Sequence, residues 1–173
     1  QVSITGPDTK VLNLFAYTGG ASLAARSAGA DTTHVDSVRK VVDWGRRNME
    51  ASGLDGIRWV VEDAATFVRR EVKRGKIYHG ILLDPPAYGR GPAGEKWVLE
   101  EQIDDLLRDC AALLAPGGFL ALNLYSMGLS AVVAHTLINQ HFKRPPELLE
   151  LAVADPHGKI LPLGTVARLG ANQ

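Results

Sequence analysis

The chain has 173 residues, with 19 Lys and Arg against 19 Asp and Glu, 46% hydrophobic residues, 18 Gly, 9 Pro and a single Cys. A chain of this length buries about 70% of the surface its unfolded form exposes, so one core suffices without disulfides or a structural metal. One cysteine excludes an internal disulfide framework and a Cys-rich zinc site; it fits a reducing compartment, and the expected location is the cytoplasm. No stretch reaches the roughly 18 to 20 uninterrupted apolar residues of a membrane span, and the start, QVSITGPDTK, lacks a signal-peptide layout. Balanced charge removes the global attraction on which many nucleic-acid binders rely, so a polyanionic partner would be held locally. The cations Arg69, Arg70, Lys73, Arg74 and Lys76 read as a solvated helix end facing the negative pole of the helix dipole.

From the N-terminus, apolar runs of strand length alternate with longer amphipathic runs. Residues 11–16 (VLNLFA) read as a strand running into Tyr17-Thr18-Gly19-Gly20, followed by a helix over 21–27 that Gly29 ends. Residues 32–35 form a second strand closing on Asp36-Ser37. The helix over 38–51 places Val38, Val41, Val42, Gly45 and Met49 on one face. A third strand, 57–61, ends at Glu62-Asp63 and leads into a helix over 64–73. A fourth, 78–83, runs into Asp84-Pro85-Pro86. Residues 88–96, rich in Gly, read as a loop without regular structure. A helix over 97–114 stops at Pro116-Gly117-Gly118, a fifth strand spans 119–124 and ends at Tyr125-Ser126, and a helix covers 129–142. Strands over 148–153 and 160–169 complete the chain, the last of them antiparallel at a sheet edge.

Five successive βα units predict an α/β fold: a doubly wound, mostly parallel, Rossmann-like sheet covered by helices on both faces. Ligands of such sheets bind beyond the carboxyl ends of the strands. Carboxylates stand at three consecutive strand ends here, Asp36, Asp63 and Asp84. Asp36 lies about 20 residues after the glycine turn, the offset of an acceptor for ribose hydroxyls, and it equally suits capping of the following helix. AYTGGAS lacks the third glycine of a dinucleotide fingerprint, which counts against an NAD-dependent oxidoreductase and favours a ligand without a pyrophosphate. The five His residues are scattered without metal-ligand spacing, so no metal is expected.

The segments VLNLFAYTGGASLAARSAGA, THVDSVRKVVDWGRRNMEASGL, IRWVVEDAATFV and GILLDPPAYGRG resemble successive motifs of class I S-adenosylmethionine-dependent methyltransferases, in particular the bacterial large-subunit (23S) ribosomal RNA branch. The resemblance spans about residues 11–130. It implies a seven-stranded sheet with a terminal antiparallel hairpin, S-adenosyl-L-methionine as cofactor, and an RNA substrate, with ribosomal RNA the expected one. By position, it implies that Phe15, Tyr17, Thr18 and Gly19 wrap the methionine part of the cofactor, that Asp36 with Ser37 holds the ribose, and that Asp63 and Ala64 meet the adenine. Asp84, Pro85, Pro86 and Tyr88 would form the wall between methyl donor and target base, and Asn13 stands where many methyltransferases carry an acid. It further implies that residues 1–173 are one catalytic domain preceded by an N-terminal substrate-positioning domain; the oligomeric state is left open.

Prolines fix the backbone at this wall and offer carbonyls, while Asp84 accepts from a base amine and Tyr88 stacks on its ring. Carbon-5 of cytosine needs a thiolate adding at carbon-6, and the only thiol, Cys110, falls on the apolar stripe of its helix. A base nitrogen of guanine or adenine is therefore the expected acceptor. The alternatives are cytosine carbon-5 and a non-catalytic Rossmann-like binding module.

Overall fold

The computed structural model describes residues 8–125 and 129–170. In chain order the elements are β1 (Lys10–Leu14), α1 (Gly20–Ser27), β2 (Asp31–Asp36), α2 (Arg39–Ala51), β3 (Arg58–Val61), α3 (Ala64–Lys73), β4 (Tyr78–Leu83), β5 (Tyr88–Arg90), β6 (Lys96–Val98), α4 (Leu99–Leu113), β7 (Leu114–Leu124), α5 (Ala131–Phe142), β8 (Glu147–Ala154) and β9 (Ile160–Leu169). Seven strands make one sheet in the order β3-β2-β1-β4-β7-β9-β8. Strands β3, β2, β1, β4 and β7 are parallel, while β9 runs antiparallel between β7 and β8. The doubly wound sheet with a C-terminal antiparallel hairpin is thus as the apolar runs predict. The last strand is inserted one place in from the edge, which β8 occupies.

Alternation along β1 explains the two faces. Leu12 and Leu14 join Phe67, Ile81, Leu99, Leu107, Leu113, Leu120, Leu122 and Ile138 in the large core under α3, α4 and α5. Val11 belongs to a smaller cluster with Ala25, Ala30 and Phe119 on the α1 side. Asn13 faces that second side and donates to Ser22 Oγ at 2.8 Å; Ser22 Oγ also meets His34 Nδ1 at 3.0 Å. Burial lowers the His34 pKa to about 4, so this interior trio carries no charge near neutral pH.

Four local expectations are corrected. Strand β1 stops at Leu14, because Phe15 and Tyr17 turn left-handed (φ 54° and 47°). Residues 88–98 form a second, two-stranded sheet from β5 and β6, and the Gly-rich stretch supplies its turn: Gly91 N donates to Glu95 O at 2.8 Å, and Gly94 has φ 92°. Trp97 and Val98 accordingly belong to β6, and α4 begins at Leu99. Strand β7 begins at Leu114, pairs with Tyr78, and passes Pro116-Gly117-Gly118 as an irregularity before Phe119 resumes the register opposite Gly80. On α2, Val42 and Gly45 are buried as expected, whereas Val38 lies at its exposed start.

Candidate active site

The parallel strands β1, β2, β3 and β4 all end on one crest. A cleft of about 420 Å³ opens there, lined by Phe15, Tyr17, Asp36, Ser37, Val38, Val41, Asp84, Pro86, Tyr88, Gly89, Arg90 and Tyr125. A narrow recess adjoins it, sharing Phe15, Asp36, Ser37, Pro86, Gly89 and Arg90 and adding Asp63, Ala64 and Trp97. The size matches that of small-molecule sites, which run from about 300 to 1,000 Å³. Ser126 lies outside the described residues.

The loop after β1 shapes one wall. Bulky residues with positive φ cost about 1 kcal/mol or more each and are kept where the surroundings fix them. Here the fixing contacts are visible: Ala16 N donates to Val35 O at 3.1 Å, Gly19 N to Ala16 O at 3.0 Å, and Tyr17 N to Asp36 Oδ2 at 2.9 Å. Asp36 therefore ties the β1 loop to the end of β2, and its other oxygen accepts from Val38 N at 2.9 Å, at the start of α2. Each oxygen still has a lone pair left for a ligand in the cleft. Capping and ligand binding, alternatives in the sequence, are compatible in this geometry.

Thr18 and Gly19 do not line the cleft; they brace its wall from behind. Asn48 Nδ2 donates to Thr18 O at 3.0 Å. Gly19, at φ 89°, packs near Gly45, and a Cβ on Gly45 would come within 2.7 Å of Trp59. Glycine at position 45 is what lets α2 approach the loop and β3 so closely.

Asp63 caps α3, its Oδ1 accepting from Thr66 N at 2.8 Å. Its Oδ2 has no hydrogen-bond partner among the described residues, and the side chain borders the recess although the residue is only 7% exposed. Beside it, the rings of Phe15 and Trp97 pack at a tilt of 50° with centroids 4.9 Å apart. Trp97 Nε1 donates to the Pro86 carbonyl at 2.7 Å, so that carbonyl is already engaged. Pro85 is buried and outside the cleft lining, and its carbonyl accepts no hydrogen bond among the described residues.

At the far end, Asn123 on β7 donates its amide to Asp84 Oδ1 at 2.8 Å and orients that carboxylate. Tyr88 stands 72% exposed at the start of β5. Burial, and then the nearby Asp84 carboxylate, raise the Tyr125 pKa, which keeps the phenol a hydrogen-bond donor. Trp97, Asn123 and Arg90 escaped sequence reasoning. Trp97 was absorbed into the helix that follows it, and Asn123 looks like a polar interruption of an apolar strand. The sole signal for Arg90 was its place in a glycine-rich stretch beside the DPP turn.

The arrangement suits a ligand combining a flat heterocycle, a ribose and a positively charged group. The recess has an aromatic pair and a free carboxylate oxygen, the middle has Asp36 with Ser37, and three carboxylates favour a cation. S-adenosylmethionine has these parts, and the residues present fit it.

Comparison with known proteins agrees. Residues 2–153 match the model of a family described as S-adenosylmethionine-dependent methyltransferase. The chain is 40% identical over 114 residues to ribosomal RNA large subunit methyltransferase K/L of Syntrophotalea carbinolica, an alignment covering 63% of this chain and 15% of that protein. It superposes with a TM-score of 0.90, at 37% identity, on the crystal structure of a SAM-dependent methyltransferase from Agrobacterium tumefaciens, covering 99% of this chain and 58% of that one. The fold alone is shared with magnesium protoporphyrin IX methyltransferase from Synechocystis, solved with bound SAM (TM-score 0.63, 13% identity, 94% of this chain and 84% of that one). The chain thus spans only part of the first two relatives. With the family's match running through every strand end that builds the cleft, this chain belongs to the S-adenosylmethionine-dependent methyltransferases.

Proposed function

We propose that this chain is a catalytic domain that methylates a nitrogen of a guanine or adenine base in ribosomal RNA, using S-adenosyl-L-methionine held in the crest cleft. The observation that carries the reading is the placement of Asp84 and Tyr88 in the cleft that Asp36 lines, beside the recess bordered by Asp63. Similarity to a protein named for large-subunit ribosomal RNA supports the choice of substrate.

When bound, the cofactor supplies an electrophilic methyl group on a cationic sulfur and departs as a neutral thioether. In this reading Phe15 and Tyr17 enclose the methionine end, with Thr18 and Gly19 holding their loop. Asp36 and Ser37 take the ribose, and Asp63 Oδ2 accepts from the adenine amine beside Ala64. The target base stacks on Tyr88, and an amino hydrogen goes to Asp84 Oδ2; Pro85 and Pro86 contribute rigidity, and Pro86 anchors Trp97. As the base nitrogen gains the methyl through its lone pair, Asp84 accepts the proton that nitrogen releases. Alignment and exclusion of water then lower most of the barrier.

Nitrogen is favoured over cytosine carbon-5 because the only cysteine, Cys110, is wholly buried on α4, and burial drives its thiol pKa well above the ordinary value. Mass spectrometry of ribosomal RNA nucleosides from cells with and without the full-length gene tests the reading. Loss of one N-methylated purine supports it; loss of 5-methylcytidine, or no change in any ribosomal nucleoside, rejects it.

A further inference from the structure

The β5–β6 hairpin has two different faces. The Cβ direction of Gly89 points toward Pro86 and Trp97, about 3.7 Å from each, and Trp97 is buried. By strand alternation Tyr88 and Arg90 therefore face the other way. The register pairs Arg90 with Lys96. Because Gly91 N bonds to Glu95 O and bonded and non-bonded pairs alternate along an antiparallel ladder, Arg90 and Lys96 form a non-hydrogen-bonded pair, the kind that brings side chains closest.

Two cations directly opposite each other weaken a ribbon. Neither Arg90 nor Lys96 has a side-chain hydrogen bond or ion pair among the described residues, and the nearest carboxylate in sequence, Glu95, accepts from Ala93 N at 2.9 Å. No ion pair thus holds either cation to the hairpin. Both side chains are exposed, as is Tyr88 two residues before Arg90, a spacing of about 7 Å along the strand. Arg90 is also the one cation among the residues lining the cleft, whose other charges are the carboxylates Asp36 and Asp84.

We propose that this outer face, Tyr88 with Arg90 and Lys96, is a lip that grips the phosphates of a single-stranded RNA segment on either side of the nucleotide entering the cleft. The inference rests on the reading of the chain as an RNA methyltransferase and deepens it by naming the part that holds the strand. A formal net charge of zero gives the chain no general attraction for a polyanion, and the carboxylates of the cleft repel one. A local pair of unpaired cations beside an exposed aromatic ring supplies what the site lacks: charge for the backbone and a platform for a base.

The test uses the full-length protein that carries this domain, with unmodified large-subunit ribosomal RNA transcribed in vitro as the probe. Filter binding across a KCl series, initial methylation rates and calorimetric titration with S-adenosylhomocysteine are compared for wild type, Arg90→Ala/Lys96→Ala, Lys96→Ala and Arg90→Lys. The double variant is expected to raise KM for the transcript about tenfold and to flatten the slope of log affinity against log salt by about 1.4, two single-strand phosphate contacts at roughly 0.7 each. Lys96→Ala, outside the cleft lining, keeps S-adenosylhomocysteine affinity within about twofold of wild type and flattens the slope by about 0.7; the double variant's melting temperature is equal or higher, and Arg90→Lys keeps the wild-type salt slope. An unchanged KM and salt slope in the double variant overturns the proposal, as does a drop in S-adenosylhomocysteine affinity with RNA binding intact, which would assign the cations to the donor's carboxylate. A wild-type protein that binds S-adenosylhomocysteine but neither binds nor methylates the transcript rejects the RNA reading itself, and the lip with it.

Discussion

The two ends of the parallel sheet treat their carboxylates in opposite ways. At the end where the strands begin, Glu71 on α3 is 1% exposed and charge-balanced: Tyr78 Oη donates to it at 3.0 Å, Arg74 at 3.1 Å, and Arg58 lies 3.9 Å away. At the crest, Asp36, Asp63 and Asp84 are each fixed by neutral donors, backbone N–H groups or the Asn123 amide, and none is ion-paired among the described residues. A buried carboxylate neutralised by cations holds a fold together. One oriented by neutral donors keeps its charge for a cationic ligand.

Substitutions sharpen the contrast, beginning with the largest effect. Asp84→Asn preserves shape and removes the charge and proton acceptor, so methyl transfer should fall about 10²- to 10⁴-fold with little change in melting temperature. Single-turnover rates with radiolabelled donor measure this, and a near-wild-type rate would remove Asp84 from the chemistry. At the opposite end, Glu71→Ala strips Tyr78 of its acceptor and opens a cavity. Stability should drop by about 3 kcal/mol in urea denaturation while S-adenosylhomocysteine affinity is retained. A loss of affinity without a loss of stability would reverse the roles given to the two ends.

The neutral interior trio makes a pH prediction of similar or smaller size. His34 titrates at about 4 when folded and near 6.5 when unfolded, so the unfolded chain binds the extra proton between those values. The stabilisation is fully present above pH 6.5 and is lost as pH falls toward 4, on the order of 3 kcal/mol at most. NMR titration of the His34 imidazole reads this directly, and a folded-state value near 6.5 would contradict it. Asp36→Ala should weaken S-adenosylhomocysteine binding about tenfold, because it removes the ribose acceptor and unties the β1 loop. A calorimetric affinity equal to wild type would show that the ribose lies elsewhere.

The βα order, the parallel sheet and the three strand-end carboxylates were legible because continuous apolar runs mark buried strands and the second, third and fourth runs end on an acid. What escaped depends on contacts between distant segments. Phe15 reads as strand by composition, but the hydrogen bonds of Ala16 to Val35 and Tyr17 to Asp36 draw the chain into a left-handed turn. Gly-rich residues 88–96 read as loop, yet pairing of Tyr88–Arg90 with Lys96–Val98 makes strands of both flanks, and Trp97 is fixed there by Phe15 and the Pro86 carbonyl. Asn123 gains its role only where β7 lies beside β4. Local pattern carries the frame, and the second layer of the site is set by tertiary packing.

The most direct measurement is a crystal structure of this chain with S-adenosylhomocysteine. The account predicts the adenine in the recess between Asp63 and Trp97, both ribose hydroxyls within hydrogen-bond reach of Asp36, and the sulfur directed at Asp84 and Tyr88. A ligand bound away from the crest, or with its sulfur turned from Asp84, would contradict it.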